Sequence, residues 1–187
     1  MTVSDRELRE TLENTDCRFY EPQDLRCSFT GYRPQKMPFG FNEDDPRCVD
    51  FKKRLRDSII VLILNGYSHF LSGGANGMDL FAAEAVLDLK EQYPWIMLEM
   101  VIPFEGQATK WTPDYQERHA RLLARADMVT LISHEYTKKC MIQRNRYLVN
   151  NADRLFACYD GKPGGTAMTV DYAKEIGVPV SYIAPVA

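Results

Sequence analysis

The segment "HFLSGGANGMDLFAAEAV", residues His69 to Val86, sets three glycines within five positions between a short apolar run and an apolar pattern of helical spacing. Glycines at a strand-to-helix joint let the chain turn tightly and let a ligand approach backbone N–H groups, while the following helix turns its positive end toward an anion. Gly73, Gly74 and Gly77, with Ser72 and Ala75 between and beside them, are therefore candidates for a phosphate cradle. A plain packing turn is the competing reading. A second glycine turn, "GKPGGT", again opens a helix, and Gly164, Gly165 and Thr166 add a hydroxyl donor to the set. The first turn carries neither the Lys-Ser/Thr pair of a Walker A loop nor the G-x-G-x-x-G spacing, so ATPase chemistry is not expected.

Other residue types fit around these turns. Thr30 and Gly31 end a strand in "TGYR", and Arg33 offers a guanidinium fork matched to phosphate. Asp79, in the first turn of its helix, is placed to bind a ribose hydroxyl or simply to complement the helix dipole. Ser133 follows the fourth strand. Asn145 stands between Arg144 and Arg146, only one of which can face inward. Phe104 and Trp111 are candidates for an aromatic wall against a base, or for ordinary core packing. His119 falls on an apolar stripe with Tyr115, Leu122 and Ala126 and reads as a satisfied, partly buried histidine rather than a catalytic one. His69 and His134 have no partners at metal-ligand spacing, and Cys17, Cys27, Cys48, Cys140 and Cys158 form no C-x-x-C pair, so no metal, no required cofactor and no disulfide framework is expected.

The elements that must hold these residues alternate along the chain. "LRCSFTG" reads as a first strand from Leu25 to Gly31. Asp45 caps, Pro46 starts and Gly66 closes a first long helix whose buried face carries Phe51, Leu55, Ile59, Leu62 and Ile63. The glycine segment is the second strand and helix, "WIMLEMVIPF" the third strand, and Thr112 caps a third helix with Pro113 at its start. "MVTLIS", a partly helical stretch through "RNRYLV", "RLFACYD", a helix ending at Gly177 and "VPVSYI" complete the series. Alternation from end to end predicts one α/β domain over residues 24–187: a doubly wound, mainly parallel Rossmann-like sheet with helices on both faces. Residues 1–23 are polar, with Ser4 and Glu7 spaced as a capping box, and predict an arm or short helix. In a sheet of order 3-2-1-4-5-6 the loops after strands one, two, four and five would converge on one ligand.

Composition bounds the partners. The 187 residues are 45% hydrophobic and carry a formal charge of −3, without the basic balance of a protein that grips a nucleic-acid backbone, so nucleic acid is not an expected partner. No apolar run approaches a membrane span and the N-terminus has no apolar signal core, which predicts a cytoplasmic protein with no membrane partner.

Read together, "TGYRP", "SGGANGMD", "PFEGQ" with Trp111, "RNRYLV" and "YDGKPGGT" resemble the YpsA-like branch of the SLOG superfamily, relatives of the DNA-processing protein A core and of the LOG-type lysine decarboxylase-like proteins. The resemblance spans Cys27 to Ile183. It implies a Rossmann-like fold, a nucleotide or ADP-ribose-like ligand held by the "SGGANG" and "GGT" segments, a sensor or regulatory role, and a homodimer. LOG-type phosphoribohydrolases carry G-G-x-G-T-x-x-E. Here Gly164-Gly165-Thr166 is followed three positions on by Thr169, so their glutamate is missing. Hydrolysis of a nucleotide N-glycosidic bond is therefore the second expectation, with Asp79, Glu84 or Asp171 as the carboxylate. Single-strand binding on a basic face is the third. On the cradle reading, a bulky residue at Gly74 removes binding and leaves the fold intact.

Overall fold

The computed structural model describes residues 24–186; the expected N-terminal arm, with Ser4, Glu7 and Cys17, lies outside them. The elements run β1 Leu25–Gly31, a 3-10 turn Pro34–Lys36, α1 Pro46–Leu64, β2 Tyr67–Ser72, α2 Met78–Leu89, β3 Met97–Ile102, α3 Pro113–Arg125, β4 Met128–Leu131, α4 Cys140–Asn150, β5 Arg154–Cys158, α5 Gly165–Glu175 and β6 Val180–Ile183. The six strands form one sheet of order β4-β3-β2-β1-β5-β6, parallel throughout. The expected order 3-2-1-4-5-6 is thus corrected. The chain lays down four adjacent strands before it reverses, so the switch point lies between β1 and β5, and β4 is an edge. Nothing in the local pattern of "MVTLIS" distinguishes a central strand from an edge.

Local chemistry sets the element ends. Asp45 accepts from the Arg47 N–H at 2.9 Å and Pro46 starts α1. Gly66 ends the segment at φ 94°, the left-handed geometry that glycine adopts without a Cβ penalty. Thr112 occupies the N-cap of α3, but its side chain makes no capping hydrogen bond.

Strand alternation divides the core between the two faces. Phe29, Phe70, Leu98 and Phe156 point to the face covered by α1, α2 and α3, with Phe29 stacked on Phe70 and edge-on to Phe156. Leu155, Ala157 and Leu71 point to the opposite face, beneath α4 and α5. β4 leaves Met128, Val129 and Leu131 exposed at the sheet edge. Cys27, Cys48, Cys140 and Cys158 are buried free thiols, and burial pushes the Cys158 thiol up to about 12.

Candidate functional site

Beyond the carboxyl ends of β1 and β5, between α4 and α5, lies a cavity of about 670 Å³. Four segments wall it: Thr30 to Arg33 after β1, Ala75 and Asp79 from the glycine joint after β2, the first turns of α4, and the α5 face that begins at Gly165 and Thr166. An open α/β sheet creates such a crevice at its switch point because the helices on either side of it leave in opposite directions.

The floor is a buried ion pair. Arg144 Nη1 lies 3.0 Å from Asp79 Oδ2, with each side chain only 6% exposed. The same Oδ2 accepts from the Ala75 N–H at 3.3 Å. Burial raises the Asp79 carboxyl above the usual carboxylate range, against the pull of Arg144. Among the described residues Asp79 Oδ1 and the hydroxyl of Thr30 take part in no hydrogen bond, although both residues are more than nine-tenths buried and line the cavity. Arg144 Nε is buried without a partner. Buried polar groups are normally hydrogen-bonded, so the unpartnered Nε is an exception to that rule.

The two loops at the switch point are clamped together. Tyr32 donates its hydroxyl to the Asp160 carboxylate. Lys162, at 2.6 Å, is the main cause holding that carboxyl down near about 2, and Tyr32 adds to it. Lys36 Nζ reaches the Pro163 carbonyl at 3.2 Å, and Thr166 Oγ1 donates to the Gly31 carbonyl at 3.1 Å. These contacts aim the first turn of α5, whose leading N–H groups have no intrahelical acceptor, at the cavity. Arg33 and Lys36 stand at the same end.

The sequence candidates distribute unevenly over this geometry. Thr30, Gly31, Arg33, Ala75, Asp79, Asn145, Gly165 and Thr166 line the cavity. Ser72, Gly73, Gly74, Gly77, Ser133 and Gly164 are not on its wall. Ser72 is buried and donates to the Asp79 carbonyl at 2.7 Å. Ser133 follows the edge strand and donates to the Glu135 carbonyl at 2.7 Å. Gly164, at φ 149°, adjoins Lys36.

In the "SGGANG" joint the amides of Gly74, Ala75 and Met78 already donate to Ser72 Oγ, Asp79 Oδ2 and the Tyr32 carbonyl. Its glycines serve close packing. A Cβ on Gly73 would stand 1.3 Å from Arg144 Nη1, one on Gly77 2.5 Å from the Tyr32 carbonyl, and one on Gly74 3.1 Å from Met100 and Ile102 in the opposite core. A bulky residue at Gly74 would therefore disturb the fold itself, because φ there is 64° and the site faces packed side chains.

The inward arginine is Arg144, while Arg146 is exposed over the Tyr172 ring. His119 is buried, yet its Nε2 has no partner among the described residues, so it is not the satisfied histidine expected. Its ring packs edge-on against Trp111 and its pKa is lowered by burial. Phe104 packs on Tyr136, and neither Phe104 nor Trp111 reaches the cavity wall. Glu84 is held by Arg118 at 2.5 Å on the other face. Thr169, where a glutamate would stand, is buried and donates to the Gly165 carbonyl at 3.0 Å. Lys36, Met168, Tyr172 and Glu175 escaped the sequence reading. The i, i+3, i+4, i+7 spacing of Met168, Asp171, Tyr172 and Glu175 was the signal that placed them on one helix face.

A family model described as the YspA SLOG family matches residues 27–183. The chain belongs to the YpsA family of SLOG proteins. Among YpsA-family relatives, a UPF0398 protein of Bacillus pumilus is 30% identical over 158 residues, covering 82% of this chain and 84% of the relative. The UPF0398 protein YpsA of Bacillus subtilis is 29% identical over 163 residues, covering 83% and 90%. Among solved structures, DNA processing protein A from Helicobacter pylori, described for its single-stranded DNA binding mode, superimposes with a TM-score of 0.56 at 16% identity, covering 85% of this chain and 65% of that one. Its counterpart from Streptococcus pneumoniae gives 0.54 at 16% identity, covering 84% and 50%. The YpsA-family chain thus spans between half and two thirds of those longer proteins, with which it shares the fold. Among the described residues no helix is long and apolar enough to cross a membrane, and no group of three His, Cys, Asp or Glu is placed to hold a metal ion.

Proposed function

We propose that this protein binds a nucleoside phosphate, or a derivative of the ADP-ribose kind, as a sensor or regulatory module. The observation that carries the reading is the switch-point cavity, which joins a helix N-terminus and the cations Arg33 and Lys36 to a buried floor with unpartnered oxygens. Its volume falls within the range that takes such ligands. Phosphate lies against the α5 amides with Arg33 and Lys36 as counter-charge, and the sugar meets Thr30 and Asp79 Oδ1. Turnover is disfavoured by Thr169, which sits back-bonded to its own helix where a carboxylate would be needed.

Gly165 supplies the test, since a Cβ there meets nothing within 4 Å. Gly165→Leu should leave the unfolding free energy from urea titration within about 0.5 kcal/mol of wild type, as for a surface change, and lower nucleotide affinity in calorimetry at least tenfold. Unchanged affinity for every nucleotide tried would move the site elsewhere. Single-stranded oligonucleotide should not displace bound nucleotide at physiological salt, in keeping with the −3 charge. A homodimer belongs to the same reading, with the exposed apolar edge of β4 as its surface, and sedimentation tests it.

One observation favours hydrolysis as the second reading. Asp79 is a buried carboxyl of raised pKa with a free oxygen at the cavity floor, the environment of a general acid. Chromatography of nucleotides after incubation separates the two readings, because a sensor returns its ligand intact.

A further inference from the structure

The cavity is two-ended. α5 lines it along one whole stripe, from Gly165 and Thr166 at the helix N-terminus to Asp171 and Glu175 in its last turns. At a rise of 1.5 Å per residue, Asp171 and Glu175 lie roughly 7.5 and 13.5 Å beyond Thr166 along the helix axis. The near end is cationic, with Arg33 and Lys36. The far end is acidic. Neither Asp171 nor Glu175 has an ion pair or hydrogen bond among the described residues, and Arg146, a cation of the same lining, lies over the Tyr172 ring at 5.3 Å. Two exposed apolar side chains, Ile142 of α4 at 44% and Met168 of α5 at 60%, also line the cavity, Met168 one turn before Asp171 on the same helix face. A flat apolar group would cover both.

We infer that the far end reads a guanine-type base. This rests on the nucleotide reading above and narrows its nucleoside phosphate to a guanine nucleotide. Ile142 and Met168 bracket the ring, and the carboxylates of Asp171 and Glu175 receive its edge. An ionised carboxylate is acceptor-only. Guanine offers adjacent donors, the ring N1–H and the exocyclic amine, which one carboxylate can accept together. Adenine offers one amine beside a bare ring nitrogen, and that nitrogen would face a like-signed oxygen. The buried floor of Thr30 and Asp79, with its unpartnered oxygens, lines the same cavity and marks it as a built site rather than a chance pairing of a helix terminus with surface acids.

Calorimetry with GDP, IDP and ADP tests this on the wild type, on Gly165→Leu and on the neutral isostere Asp171→Asn/Glu175→Gln. The expected order is GDP about tenfold or more tighter than ADP, the scale of one bidentate base contact, with IDP, which lacks the exocyclic amine, between them. The double variant should lose this preference. Equal binding of GDP and ADP by the wild type, weakened by Gly165→Leu, overturns the guanine inference and leaves nucleotide binding standing. A GDP preference that survives in the double variant also overturns it. No binding of any of the three overturns both.

Discussion

At the residue scale the site turns on one guanidinium. Arg144 lies so close to the "SGGANG" joint that its Nη1 takes the space a side chain on Gly73 would need. The glycine is therefore a demand of the ion pair and not of a ligand. Gly73→Ala should expel Arg144 and strand Asp79, at a cost of about 3–5 kcal/mol, the usual cost of breaking a buried pair. Arg144→Met alone should cost as much, whereas Arg144→Met with Asp79→Asn should recover most of it. Urea unfolding of the three variants checks this. His119 adds a pH dependence. Burial lowers its pKa in the folded chain, so the unfolded chain takes up a proton first, near about 6.5. The stability this gives is fully present above that pH and is lost as pH falls toward the lower folded value. His119→Leu should flatten the fall in stability between about pH 7 and 5; a midpoint-versus-pH series that keeps the wild-type slope would remove His119 from the account.

At the scale of elements, α4 is seated by polar contacts as well as by the buried Leu148 and Val149. Tyr147 donates to Glu99 Oε1 at 2.9 Å, and Thr130 donates to the same oxygen at 2.7 Å. Burial pushes the Glu99 carboxyl up, but the contacts of His69, Thr130 and Tyr147 outweigh it and hold it below the usual range. Tyr147 lies one turn beyond Arg144, so the helix is pinned to the sheet at Glu99 and to the glycine joint at Asp79. Tyr147→Phe removes a hydrogen bond to a charged group, worth about 1.5–3 kcal/mol. It should lower the urea midpoint and also weaken nucleotide binding, since Asn145 and Arg144 ride on the same helix. A loss of stability with unchanged affinity would show that α4 keeps its place without Glu99.

At the scale of the whole molecule, the reversal of strand order after β4 does what composition conceals. A chain of net charge −3 still gathers Arg33, Lys36, Arg144 and Arg146 at one end of its sheet. Most of its fixed carboxylates are spent elsewhere. Glu43 and Glu84 hold Arg118 on the opposite face, and Asp127 holds Lys90 beside β3. Asp79, Asp171 and Glu175 share the lining, but the cations outnumber them there, opposite to the molecule's net sign. On the proposed nucleotide reading, a long polyanion would also meet the acidic remainder of the surface.

Element type and order were legible in the chain because periodicity and end signals are local. Pro46, Gly66, Pro113 and Gly177 punctuate apolar patterns of fixed period, and alternating strands and helices leave little choice but a parallel sheet with helices on both faces. The loops at Thr30, Gly165 and Thr166 were legible for the same reason. What the chain could not announce was the partner of each residue. Strand order was decided by a crossover from β4 to β5 that spans the sheet, and it removed Ser133 from the crevice. Arg144 and Asp79 are 65 positions apart, and only their meeting shows that the first glycine joint is a packing device, with the opening left to α5. Local sequence sets which elements form and how they end; which side chains share a buried space is a long-range outcome of packing.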